Sequence, residues 1–97
     1  MKTYIVNFDS TTAQILWQNE GQFEEQLLLS VSRFSLGSAS EDEFYSDLAN
    51  EIEMISLFKK RMKLILRASS QEKKRLERHL SARIKGRLMT SAEEYFG

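Results

Sequence analysis

From Thr3 to Phe8 the chain alternates, with Tyr4, Val6 and Phe8 on one face and Ile5 and Asn7 on the other, in the β-branched and aromatic types that suit a pleated surface. Alternation resumes at Ala13-Gln14-Ile15-Leu16-Trp17. Between the two runs, Asp9-Ser10-Thr11-Thr12 offers short polar side chains that bond their own backbone in turns. The pattern predicts a hairpin over 3–18. A lone hairpin is marginal in water, so Tyr4, Val6, Phe8, Ile15 and Trp17 are expected to pack on a helix, with Trp17 in the core.

Residues 23–36 carry two periods at once. Phe23, Leu27, Val31 and Phe34 recur at helical spacing, while Leu27, Leu29 and Val31 also alternate with Leu28, Ser30 and Ser32 as a strand would. Glu24, Glu25 and Gln26 suit the positive end of a helix dipole and favour helix. The strand alternative gives a three-stranded meander followed by two helices.

After Gly37-Ser38-Ala39, Ser40 and Glu43 form a capping-box pattern with Asp42 in the first turn. Leu48, Ile55 and Met62 follow at seven-residue spacing, with Phe44, Ile52, Phe58 and Ile65 between them, and predict a long helix over 41–68. Such a helix is about 28 residues and about 42 Å long, more than a small globule needs. Its stripe of Leu48, Ile55, Phe58, Met62 and Ile65 is therefore a candidate homodimer seam. Ser69 and Glu72 repeat the cap, and Leu76, Leu80, Ile84 and Leu88 predict a C-terminal helix over 70–89 that folds back on the long one as a helical hairpin. Gly86 interrupts it, and Thr90-Ser91-Ala92-Glu93 offers a further cap before Tyr95 and Phe96. The expected class is α+β, mostly helical, an N-terminal β-hairpin followed by two or three helices. With no proline in the chain, nothing stops long helices.

A length of 97 residues allows one core and predicts a single domain over 1–97, and 41% apolar with 29% charged residues is an ordinary globular balance. The absence of cysteine removes disulfides, thiolate metal sites and a cysteine nucleophile, and fits a reducing, cytoplasmic setting. The opening Met1–Asp9 run is broken by Asn7 and Asp9, so no membrane segment is expected from it.

Net charge is zero, but its layout is not even. Residues 1–53 hold 2 basic against 10 acidic residues, a balance of −8, and residues 54–97 hold 12 against 4, a balance of +8. Lys59, Lys60, Arg61 and Lys63, followed by Lys73, Lys74, Arg75, Arg78, Arg83, Lys85 and Arg87, form a candidate face for nucleic acid or an acidic partner. The same residues also read as a solvated helix face, or as one that pairs with the acidic half. Overall neutrality removes long-range attraction to a polyanion.

Chemistry has little foothold. His79 is the single histidine and sits among cations; Glu41, Asp42, Glu43 and Asp47 lack the alternation and central glycine of a calcium loop. No glycine-rich phosphate loop, GxSxG or HExxH motif occurs, so no catalytic residue, metal or cofactor is expected. The run from Glu43-Phe44-Tyr45 through Arg67, with Leu80–Leu88 after it, resembles the helical domain of GINS-type replication subunits over the C-terminal half, and no residue role is carried over from it. The leading expectation is a small non-enzymatic regulatory or adaptor protein that binds another protein, in the size and style of phage or mobile-element inhibitors of host machinery. The alternative is nucleic-acid binding through the basic face.

Overall fold

The computed structural model describes residues 1–59 and 61–89. The hairpin forms as β1 (Lys2–Phe8) and β2 (Thr12–Asn19), paired antiparallel from Lys2↔Asn19 to Phe8↔Ala13. Its turn is locked by Asp9, whose Oδ1 accepts from the Thr11 and Thr12 N–H groups at 2.8 Å each and from the Thr11 hydroxyl at 2.9 Å.

The rest departs from a mostly helical chain. Residues 23–36 are not a helix: Gln26–Ser32 is β3, antiparallel to β2 with a bulge opposite Ile15/Leu16, and only Arg33–Leu36 turns helical, as α1. Pairing with β2 outweighs the dipole preference of Glu24 and Glu25 because a strand beside β2 satisfies a whole row of backbone groups. Gly37, at φ 69°, ends α1 in the left-handed conformation that favours glycine. The predicted 41–68 helix stops early. Helix α2 spans Glu41–Phe58 and Met62–Arg67 is β4, parallel to β1 from Lys2↔Met62 to Asn7↔Arg67. Met62, Leu64 and Leu66 are buried and alternate with exposed Lys63 and Arg67, a period of two that the seven-residue spacing masked. The 70–89 helix is also divided, into α3 (Ser70–Glu77) and α4 (Ala82–Lys85), with Ser81 capping the second. No helical hairpin exists, and the likeness to an all-helical replication domain goes with it. Thr90-Ser91-Ala92-Glu93, Tyr95 and Phe96 lie outside the described residues.

The sheet has order β3-β2-β1-β4, so the architecture is an α/β fold on a mixed four-stranded sheet. Tyr4, Val6 and Phe8 share one face with Ala13, Ile15, Leu64 and Leu66, and this face packs with Phe44, Tyr45, Leu48, Ala49 and Ile52 of α2. Leu76, Leu80 and Ile84 from α3, α4 and the turn between them complete the same cluster, so their four-residue spacing marks a real apolar stripe despite the break. The serine caps form as the spacing predicts: Ser40 accepts from Glu43 N–H at 3.1 Å and Ser69 from Glu72 N–H at 3.2 Å.

Among the described residues no helix covers the opposite face, yet Ile5, placed there between Leu16 and Ile65 by register, is wholly buried. Above it runs a clasp. Arg67 at the end of β4 donates to both carboxylate oxygens of Glu25, at 2.9 and 2.6 Å, although Glu25 leads into β3 at the far edge of the sheet. The loop that carries Glu25 therefore bends back over β2 and β1.

The two sheet edges differ. Outside β4, Leu64 N–H donates to Arg87 O at 3.0 Å and Met89 N–H to Leu64 O at 2.9 Å, so residues 87–89 cover that edge. Among the described residues β3 pairs with β2 alone.

Candidate docking surface

Two cations of the predicted basic face, Arg75 and Arg83, and the neighbouring His79 are paired within the chain. Arg75 Nη1 meets Glu41 Oε2 at 3.1 Å, His79 Nε2 meets Asp42 Oδ1 at 3.2 Å, and Arg83 Nη2 meets Glu53 Oε2 at 2.7 Å while also donating to Ser56 at 2.9 Å. The acidic stretch is α2, the basic stretch is α3 with α4, and packing them together neutralises one with the other. Arg75 also stacks 5.1 Å from the Tyr45 ring centre. Lys59, Arg61, Lys63 and Arg87 gather at the opposite end, where Arg87 Nη1 donates to Lys59 O at 3.1 Å. Lys74, Arg78 and Lys85 are exposed and Lys73 half-buried, while Lys60 lies outside the described residues. The eleven cations thus do not form one continuous surface.

Four acid–base groups register their surroundings, the Tyr4 phenol among them, raised by burial. Backbone N–H groups of Thr11 and Thr12 hold the Asp9 carboxyl below the usual aspartate range. Ser81, ahead of the Arg83 guanidinium, holds Glu53 below the usual glutamate range. Burial raises the Tyr45 phenol. A carboxyl depressed on folding adds stability above its ordinary pKa, about 3.9 for Asp and 4.3 for Glu, and loses it as pH falls toward the depressed value. The melting temperature should therefore be insensitive to Asp9 and Glu53 between pH 5 and 7 and fall below about pH 4. Asp9→Asn, which keeps an acceptor in the turn, should make that acid decline shallower in a pH series of thermal melts.

The candidate dimer seam is scattered. Leu48 and Met62 are in the core and Ile65 lies on the other face of the sheet, so no stripe is presented to a second chain. Only Ile55 and Phe58 of that set stay together. They border an apolar groove of about 280 Å³ between the end of α2 and the sheet, lined also by Tyr4, Trp17, Leu28, Lys2 and Lys59. Phe58 is 80% exposed and Leu28 47%. Met54 and Leu57 on α2 are also exposed, as is Leu27 of β3, which pairs with Leu16 and belongs to the other face of the sheet. Trp17 is half-buried rather than sealed in the core, and Lys2 Nζ sits 4.3 Å from its ring centre. Two signals in the sequence point to this surface. Three consecutive leucines cannot all face the core from a strand covered on one side, and Met54, Leu57 and Phe58 fall off the buried stripe of α2.

A larger hollow of about 480 Å³, lined by Asn7, Asp9, Thr12, Gln14, Ser30 and Arg67, lies at the carboxyl ends of β1 and β4. Of its polar groups, Asp9 is engaged in the turn and Arg67 in the clasp. Among the described residues no three His, Asp or Glu side chains converge as metal ligands, and no helix is long and apolar enough to cross a membrane.

No protein-family model matches the chain, and no curated protein matches it. Solved structures do. One described as an archaeal protein superposes with a TM-score of 0.71 at 15% identity, over 93% of this chain and 28% of that one. The crystal structure of archaeal translation termination factor aRF1 follows at 0.62 and 15%, over 90% and 28%. The Aquifex aeolicus Ppx/GppA phosphatase, at 0.49 and 18% over 91% and 34%, superposes too loosely to carry an argument. At such identities the likeness concerns the fold alone: the chain is similar to a part, about 28% by length, of two larger archaeal proteins.

Proposed function

We propose that this domain is a non-enzymatic regulatory or adaptor module that binds another protein on the apolar surface shared by β3 and the end of α2. The observation that carries the reading is the pair of large apolar side chains left in water on one groove, Leu28 on the sheet and Phe58 on the helix. Each such side chain contributes about 1.5–3 kcal/mol when a partner covers it fully, whereas exposed in the free chain it contributes nothing. Contiguous exposed apolar surface beside polar rims is the usual mark of a binding site. A cytoplasmic setting belongs to the same reading and is supported by the lack of cysteine.

Nucleic-acid binding is the weaker reading, because Arg75, Arg83 and His79 of the basic stretch are paired with α2 carboxylates. A photo-crosslinking residue placed at position 58, with another at 78 as a control, tests the choice in cells. Protein adducts are expected from position 58, fewer with Leu28→Ser, and none of the same size from 78. Absence of protein adducts at 58, together with DNA or RNA binding that weakens steeply with salt, would overturn the proposal in favour of the basic face.

A further inference from the structure

Resting on that reading, we infer that the partner contributes an extended, acidic segment that adds as a new strand to the free edge of β3 and drops an apolar side chain into the Trp17–Phe58 groove. Three observations converge. First, the edge is bare on one side of the sheet only: residues 87–89 cover β4, while the seven residues of β3 pair with β2 alone among the described residues, leaving a row of outward N–H and C=O groups. Second, β3 has a bulge at Leu28 but no charged or proline residue that would block pairing. Gln26-Leu27-Leu28-Leu29-Ser30-Val31-Ser32 has no lysine, proline or acidic residue. An edge of that composition is a template for strand addition, in which main-chain bonds give affinity and side-chain pockets give specificity.

Third, the groove beside this edge supplies such a pocket and states a charge preference. Its lining mixes the apolar Tyr4, Trp17, Leu28, Ile55 and Phe58 with two cations, Lys2 and Lys59, and no carboxylate. Leu28 belongs to both features, so a strand laid along β3 has its alternate side chains within reach of the groove. A segment that alternates apolar with acidic residues satisfies the edge, the pocket and the two lysines together.

The experiment selects binders to the full chain from a phage-displayed library of random twelve-residue peptides. Alternating apolar and acidic sequences are expected to be enriched. Their affinity should fall at least tenfold on Phe58→Ser and on the Lys2→Glu, Lys59→Glu pair, and should be lost when alternate peptide nitrogens are methylated. Circular dichroism and melting of each variant guard against loss of fold, which is not expected because Leu28, Phe58 and Lys59 are exposed. Peptides that need Phe58 but tolerate methylation throughout would overturn strand addition and leave the docking surface standing. Peptides indifferent to Phe58→Ser, or no enrichment at all, would overturn both. Self-association lost on Leu28→Ser would assign the edge to a second copy of the chain and overturn the acidic-segment assignment.

Discussion

Phe44→Ala is expected to destabilise the fold by about 3–5 kcal/mol, the range for emptying a buried phenylalanine site. Phe44 has no exposed surface and lies in the first turns of α2, where its ring stands 6.1 Å from Tyr45 and shares the cluster with the helix-side face of the sheet. Small domains have about 5–15 kcal/mol in total, so the variant should melt at least about 12 °C lower than the parent. Phe58→Ala, fourteen positions further along the same helix, should change stability by less than about 0.5 kcal/mol, because its ring is already in water. Urea unfolding of the two variants measures both. Equal losses would mean that the groove is closed in solution and that Phe58 is structural, which removes the basis for docking. A small loss at Phe58 with a large one at Phe44 separates the folding side of α2 from its binding end.

Ile5→Asp should be nearly as damaging, and for a reason the sheet alone does not give. Ile5 faces away from the helices, where a one-layer sheet ordinarily meets solvent and tolerates a polar residue. Here Leu16 and Ile65 flank it and the loop carrying Glu25 crosses above, held by Arg67, so a carboxylate at position 5 would be desolvated without a partner. The expected cost is several kcal/mol. Thr3→Asp, two residues earlier on the same face but half-buried, should cost far less. If thermal melts show both substitutions tolerated alike, the Glu25–Arg67 clasp does not seal this face. Arg67→Ala should in turn raise the accessibility of the Ile5 amide region to hydrogen exchange, a local opening rather than global unfolding.

These two results bear on function through the same division of surfaces. The helix-side core and the clasped face are committed to stability, and part of the charge dipole of the sequence is paired between α2 and the α3–α4 segment. The β3 edge and the groove beside it stay open to a partner. That is why the leucines of β3 and the end of α2, rather than the abundant lysines and arginines, carry the functional reading.

Local information settled the parts of this chain whose partners are near in sequence. The β1–β2 hairpin follows from alternation on both sides of a turn whose Asp9 bonds residues two and three positions on. The serine caps at Ser40 and Ser69 depend on an N–H three residues away. The division into an acidic and a basic half is likewise plain from the residues, as is the absence of cysteine and of catalytic motifs.

Tertiary structure decided everything that needed a distant partner. Met62, Leu64 and Leu66 sit at spacings that a helix and a strand both accept, and the tie was broken by β1, whose second edge lies some sixty residues away in sequence and is satisfied only by β4. The same holds for Gln26–Ser32, which reads as helix from its acidic lead-in and becomes a strand because β2 is there to receive it. Within the basic stretch, packing set Glu41, Asp42 and Glu53 against Arg75, His79 and Arg83, pairings that no local pattern specifies. Which strand would be left at the edge, and hence where an apolar groove would open, is a property of the order β3-β2-β1-β4. Strand order arises from hydrogen bonds between segments far apart in the chain, and no local period encodes it.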